Sequence, residues 1–309
     1  MAGAIFHIKD GYFFEVPKFL YRPQYQSLEE VPEFLRKAHP EASLDDFEQA
    51  MAGKILIPQP FGTLKNLHDK ESGFAISKFM ILELVIAALM IFIFVRLAKK
   101  IRTGEAPKGR TWNLFEALLV FLRDQVARPA IGGHDADKFL PLLWTMFFFI
   151  LLGNVFGLVP WAGSITGVWA VTGALALVTF ATVLLSGMMK FGPIGFWLNQ
   201  VPHMDLPLLM RPLKVVIFAI EILGLLIKHA ILSIRLLANM VAGHLVLLAI
   251  LGLIAQAAAA SPAQWTTVAV ISVLGSTLMS CLELFVAFLQ AYVFTFLSAL
   301  FIGAAVHHH

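Results

Sequence analysis

The 309-residue chain is 59% hydrophobic and only 14% charged, with a mean hydropathy of +0.79. Soluble domains are roughly 45–50% apolar and about 25% charged, so an ordinary soluble protein is excluded. Apolar runs of about 20 residues recur, as helical membrane proteins require, and the short alternating segments of a membrane β-barrel do not. The net charge of +3 and pI near 9.0 are met by loop lysines and arginines and point to no nucleic acid. One cysteine, Cys281, allows no internal disulfide.

Residues 1–73, with "RPQY", "EEVPEFLRKAHPEASLDDFEQA" and "PQPFG", are polar, proline-containing and richer in acids than bases. They are too poor in apolar residues to span a bilayer. A short helix is expected near 43–52, with Ser43 as N-cap and Asp45 and Asp46 in the first turn. No basic stretch leading into an apolar core marks a cleavable signal peptide.

The first predicted span, 74–95, ends in "RLAKKIRTGEAPKGR", the densest basic cluster of the chain. The positive-inside rule makes that end cytoplasmic and the N-terminal region external. Residues 111–133 carry apolar side chains at three- and four-residue spacing, interrupted by Glu116, Arg123, Asp124 and Arg128. This pattern predicts an amphipathic helix at the cytoplasmic interface. Spans are expected at 139–160 and 165–188, joined by an uncharged turn, and Lys190, Arg211 and Lys214 mark the cytoplasmic side again. After Pro212, residues 213–259 form one proline-free apolar run. As a helix it would be roughly 70 Å long, about twice the hydrocarbon thickness. A second long run follows at 265–306. Each is either two spans with a hidden break or one steeply tilted helix. The expected fold is therefore an all-α polytopic membrane protein with about five transmembrane helices. A membrane domain at 74–306 follows an extramembrane region at 1–73, and the C-terminus is cytoplasmic.

Polar residues in the last two runs have a helical phase. Glu221, Lys228 and Arg235 are seven apart, about 20° short of two turns, and share a face with Asn239 one turn on. His244 lies nine residues beyond Arg235, about 180° around the helix, and faces away. In the second run Glu283 and Gln290 are again seven apart. The rival reading of Asn239 and Gln290 is as helix–helix hydrogen-bonding groups, each worth about 0.6–2 kcal/mol. Glu221 and Lys228 read as interfacial charges or as a pair, and His244 and Glu283 as a buried pair. Arg235 is different. An arginine at the centre of a bilayer helix costs roughly 2.5–3.5 kcal/mol or more, and no acid lies within one turn of it. Its counter-charge must come from another helix or another chain.

"SIRLLANMVAGH", followed by "ELFVAFLQAYVFTFLSALFI", resembles subunit a of F-type ATP synthases. The resemblance rests on Arg235, on Asn239 four residues later, on the small pair Ala242–Gly243 before a titratable His244, and on Glu283 seven before Gln290. Glu221 and Lys228 fall where that family often has an acid and a lysine, and "FFFILLGNVFGLVP" resembles its asparagine-to-proline span ending. The match covers roughly 74–306. In some members the acid and imidazole at the positions of His244 and Glu283 are exchanged. His229 replaces a frequent proline, Gly157 replaces an acid found in some, and the span after Pro160 lacks a common asparagine. Residues 1–73 are longer than the corresponding region of the shorter bacterial members.

The resemblance implies a proton-translocating stator subunit in a bacterial inner membrane, with two offset half-channels to and from the carboxylates of a c-ring. Arg235 would separate them, His244 and Glu283 would relay protons on the external side, and Glu221 would serve the exit. Asn239, Gln290 and Lys228 complete the implied proton-translocation residues. Its partners would be the c-ring, the subunit b peripheral stalk and the remaining subunits of the complex. No cofactor or metal is implied, and without a P-loop the chain carries no ATP chemistry of its own. A secondary transporter would show paired halves with broken helices, and no repeat is visible. A membrane scaffold, with the polar stripe as helix glue, is the other rival.

Overall fold

The computed structural model describes residues 10–17, 25, 27–38, 40–102, 109–159, 162–199, 211–259 and 261–307. Residues 200–210 of the segment between Lys190 and Arg211, most of "RPQY", Pro160 and the last two histidines lie outside the described residues.

The N-terminal region is built from short elements. β1 (Phe13–Glu15) pairs antiparallel with β2 (Lys54–Leu56), and β3 (Gly62–Leu64) with β4 (Lys70–Gly73). Two helices, α1 (Glu33–Ala38) and α2 (Leu44–Met51), lie between β1 and β2 in the chain. The strands were not expected from sequence, because three- and four-residue strands are too short to display alternation. α2 matches its expected capping: the Ser43 hydroxyl accepts from the Asp46 amide, and the Asp46 carboxylate accepts from Ser43 in return. Those bonds hold the Asp46 carboxyl below its ordinary range. Phe47 and Met51 are buried beneath it.

Among the described residues five helices are long and apolar enough to cross a membrane. They are α3 (Lys78–Ile101), α6 (Gly133–Gly157), α7 (Trp169–Phe191), α9 (Arg211–Gln256) and α10 (Pro262–Val306). The protein is an all-α polytopic membrane protein. α3 starts four residues later than expected because Ser77 caps it, accepting from the Met80 amide. The N-terminal region fastens to this start: Lys78 N donates to Gly11 O at 2.8 Å, and Gln59 brackets Ile76 with two hydrogen bonds.

The amphipathic segment forms three pieces where one helix was expected. α4 (Arg110–Phe121) widens into a π-helical turn at Leu122–Ala127, followed by α5 (Arg128–Ile131). Pro129 has no N–H to continue the regular ladder, and the turn widens just before it. The pieces are pinned by charge: Asp124 accepts from Arg123 at 2.8 Å and from Arg128 at 3.0 Å. Arg123 holds the Asp124 carboxyl below the usual carboxylate range. At the same end of the bundle Asp135 joins Lys138 and, across helices, Lys190 of α7 at 2.9 Å. α8 (Pro193–Asn199) follows and seats Phe196 against Gly187.

The two long C-terminal runs are unbroken, 46 residues in α9 and 45 in α10. At about 1.5 Å per residue each is near 70 Å, so the hidden-break alternative falls away. The core lies where α6, the π-turn and the second half of α10 meet, with Phe147, Phe148, Ile131, Phe294, Ala299 and Ile302 fully enclosed. Gly303 makes this closeness possible, since a Cβ there would strike the Ala130 carbonyl.

Candidate functional site

α9 and α10 pack on one another, and α6 and α7 back them. This arrangement sorts the polar residues of the last third into an outer and an inner group. Arg235 belongs to the outer group. It is half-buried, forms no ion pair among the described residues, and sits beside an uncovered apolar stripe that includes Ile220, Leu223, Ile227, Ile231 and Ile234. Glu221 and Lys228 share its side of α9 and approach each other at 3.9 Å, both half-exposed. That distance in an exposed setting makes a weak pair, worth about 1 kcal/mol or less.

The inner group surrounds Glu283, which is 8% exposed. A cavity of about 20 Å³ is lined by Glu283, Asn154, Asn239 and Gln290, with apolar walls from Leu236 and Met240. Roughly 10–15 Å³ suffices for one water, so the space has the size and polarity for a single bridging molecule. Among the described residues no donor reaches either Glu283 oxygen. The carboxyl group lies against Gly243, where an added Cβ would collide with Glu283 Oε1. The glycine of the small pair Ala242–Gly243 thus has a physical reason: any side chain would expel the carboxylate from its place. Asn239, one turn from Arg235 and itself exposed, also lines the cavity of Glu283.

His244 does point away from the Arg235 side, as its phase requires. Its Nε2 lies 3.0 Å from the Gly157 carbonyl at the end of α6, and Nδ1 lies 3.1 Å from the Met240 carbonyl. It forms no hydrogen bond or ion pair with Glu283 among the described residues, so the expected buried pair consists of neighbours, not bonded partners. Gly157 contributes only backbone here, and a Cβ there would run into Met240 and Ser164. This is why an acidic side chain has no room at that position.

Sequence reasoning missed a ladder of small polar groups leading to the cavity. Ser164 and Thr166 sit in a 3₁₀ turn at Ile165–Gly167, before α7, and their hydroxyls are 3.3 Å apart. Thr166 donates to Asn154 Oδ1 at 2.7 Å, and Asn154 Nδ2 donates to the Ala287 carbonyl at 3.3 Å. All three are almost fully buried. The signal was present as an asparagine inside an apolar helix. The hydroxyls carried none, because serine and threonine are ordinary turn residues. His229 is also buried, between Phe180 and Phe301, with Nδ1 at 2.8 Å from Leu225 O.

Arg235 is thus half-buried beside the open stripe of α9, while Glu283 and Gln290 are buried and His244 is partly so. Residues 80–303 match the family model of the ATP synthase A chain. The chain belongs to the ATP synthase subunit a family. It is 35% identical to ATP synthase subunit a of Anaeromyxobacter sp. (strain Fw109-5), over 98% of this chain and 70% of that protein. It is 37% identical to the subunit a of Chloroherpeton thalassium, over 87% and 79%. With that of Myxococcus xanthus the identity is 40%, over 80% and 78%. Membership in the subunit a family, with its five apolar helices, makes the chain a multi-pass membrane subunit belonging to proton transport and ATP synthesis. The family match begins two residues into α3, so the β1–β4 region lies outside it.

Proposed function

We propose that this chain is the stator of the proton-driven rotor, with two half-channels that do not meet. The observation that carries the reading is Arg235: a half-buried cation beside the uncovered stripe of α9 with no ion-pair partner among the described residues. Its counter-ion is then a carboxylate on a second chain, a c-ring subunit passing along that stripe. A guanidinium favours the ionised form of such a carboxylate and so promotes release of its proton. As a fixed cation it also opposes proton passage between the half-channels.

The external half-channel runs from Ser164 and Thr166 through Asn154 to Glu283, with Asn239, Gln290 and His244 completing its inner end. Glu221 and Lys228, about four and about two turns before Arg235, line the exit. Each charge crossing 100 mV releases about 2.3 kcal/mol, which turns the ring, while ATP chemistry takes place on other subunits. The division into an external region, 1–73, and a membrane domain, 74–306, belongs to this reading. So do the external N-terminus, the cytoplasmic C-terminus, the bacterial inner membrane and the subunit b stalk as partner. The basic ends of α3 and α7 support the orientation.

The test is proton-driven ATP synthesis by the reconstituted complex. Arg235→Ala is expected to abolish coupled synthesis while the complex still assembles. Synthesis retained at the wild-type rate would end the proposal.

A further inference from the structure

A second cavity, larger and apolar, lies away from the ion path. It has a volume of about 870 Å³ and runs between α3 and α6, with Leu119 of α4 at one side. Its wall on α3 is a single stripe, Ala87, Ile91, Phe94, Ala98 and Arg102 among others, at the three- and four-residue spacing of one helix face. From Ala87 to Arg102 the stripe is roughly 22 Å long at 1.5 Å per residue. One leaflet of hydrocarbon is about 15 Å, half the core thickness. The trough is therefore long enough for acyl chains spanning one leaflet.

Its chemistry is divided along its length. The polar groups inside are already engaged: Trp144 Nε1 donates to Leu119 O at 3.1 Å, and Thr145 Oγ1 donates to Pro141 O at 2.7 Å. Phe94 closes the back, edge-on to Phe115 and Phe148. The interior thus asks for hydrocarbon alone. At the mouth stands Arg102, the exposed C-cap of α3, with no acidic partner among the described residues. The exposed Lys99 is nearby in the last turn, and Lys100 and Arg96 rest on Trp112 and Phe92. An apolar trough closed at one end by cations fits one class of molecule, an amphiphile with an anionic head.

The volume lies within the range of about 300–1000 Å³ usual for small ligands, and the cations at its mouth favour an anionic head. We propose that the groove between α3 and α6 is a binding site for an anionic diacyl phospholipid, its acyl chains along Ile91, Phe94 and Ala98 and its phosphate at Arg102. The site does not involve Arg235 or Glu283, so its failure would leave the stator reading untouched.

The test uses the intact complex in nanodiscs of zwitterionic lipid with a trace of phosphatidylglycerol bearing a photoactivatable group in one acyl chain. A matched phosphatidylcholine probe serves as the comparison, and labelled peptides are mapped. Labelling of the α3 stripe by the glycerol probe is expected to exceed the choline probe about fivefold, the factor for one arginine near an anionic head. Arg102→Glu, at an exposed position, should bring it down to the choline level. Ala98→Trp should remove label from the stripe with both probes by filling the trough. Equal labelling by the two probes in the wild type, labelling that survives both variants, or a polypeptide cross-linked into the groove would overturn the proposal.

Discussion

α9 and α10 are nearly identical in length and apolar character, yet they occupy opposite roles in the bundle. The second half of α10 is packed on α6, α5 and α7, so that Ala291, Phe294, Ala299 and Ile302 have almost no exposed surface. α9 is covered on one side only and presents a long apolar stripe, with a half-buried cation beside it. The difference teaches that hydropathy reports the solvent of a membrane helix and not its neighbours. Lipid and protein interior are equally apolar, so a helix that holds the bundle together reads like one that waits for a partner. Substitutions should separate the two: on α10 they should cost stability, on α9 they should cost coupling or assembly.

The largest stability loss is expected at the tightest contact of α10. Gly303→Val puts a branched side chain against the Ala130 carbonyl and should destabilise by about 3 kcal/mol or more, as severe overpacking does. A thermal melt of the detergent-solubilised subunit measures it. Gly243→Val acts across the interface, displacing the Glu283 carboxyl. A misplacement of about 1 Å can cost about a hundredfold in rate, and passive proton flux through reconstituted membrane sectors should fall by that order. Asn154→Ala strips the hydrogen bond from Thr166 and should cost about 1–3 kcal/mol together with slower flux, read by the same two assays. His244→Ala should slow flux less completely than Arg235→Ala stops synthesis.

Smaller effects sharpen the contrast. On α9, Ile231→Ala should leave the melt of the isolated subunit within about 0.5 kcal/mol, as exposed positions do, while weakening association with the ring in pull-down from membranes. A large loss of stability would show that α9 is as much a keel as α10. The charged end of the bundle has its own pH dependence. The folded carboxyl of Asp124 is held below its unfolded value of about 3.9. Its contribution is therefore present above that value and fades as pH falls through the lower, folded one. Hydrogen exchange at Leu122–Ala127 should accelerate below about pH 4 in the wild type, and Asp124→Asn should show the faster exchange already at neutral pH.

Much of the architecture was legible in the residues. Five apolar runs, their polar ends, the cap at Ser43 and the opposite facing of Arg235 and His244 all follow from local physics: solvent preference, hydrogen-bond caps and the 100° step of a helix. These quantities depend on near neighbours in the chain, and a sequence states them directly. The relations between Gly243 and Glu283, between Gly157 and His244, and from Thr166 through Asn154 to Ala287 join residues 12 to 133 positions apart. No periodicity encodes such pairs, because they depend on which helix faces lie within a few ångströms after packing. The same holds for the π-turn before Pro129, where one continuous helix was expected. Sequence alone determined which long apolar helices form and how their polar faces are turned. Packing decided that Arg235 is left half-exposed on α9 while Glu283 is buried.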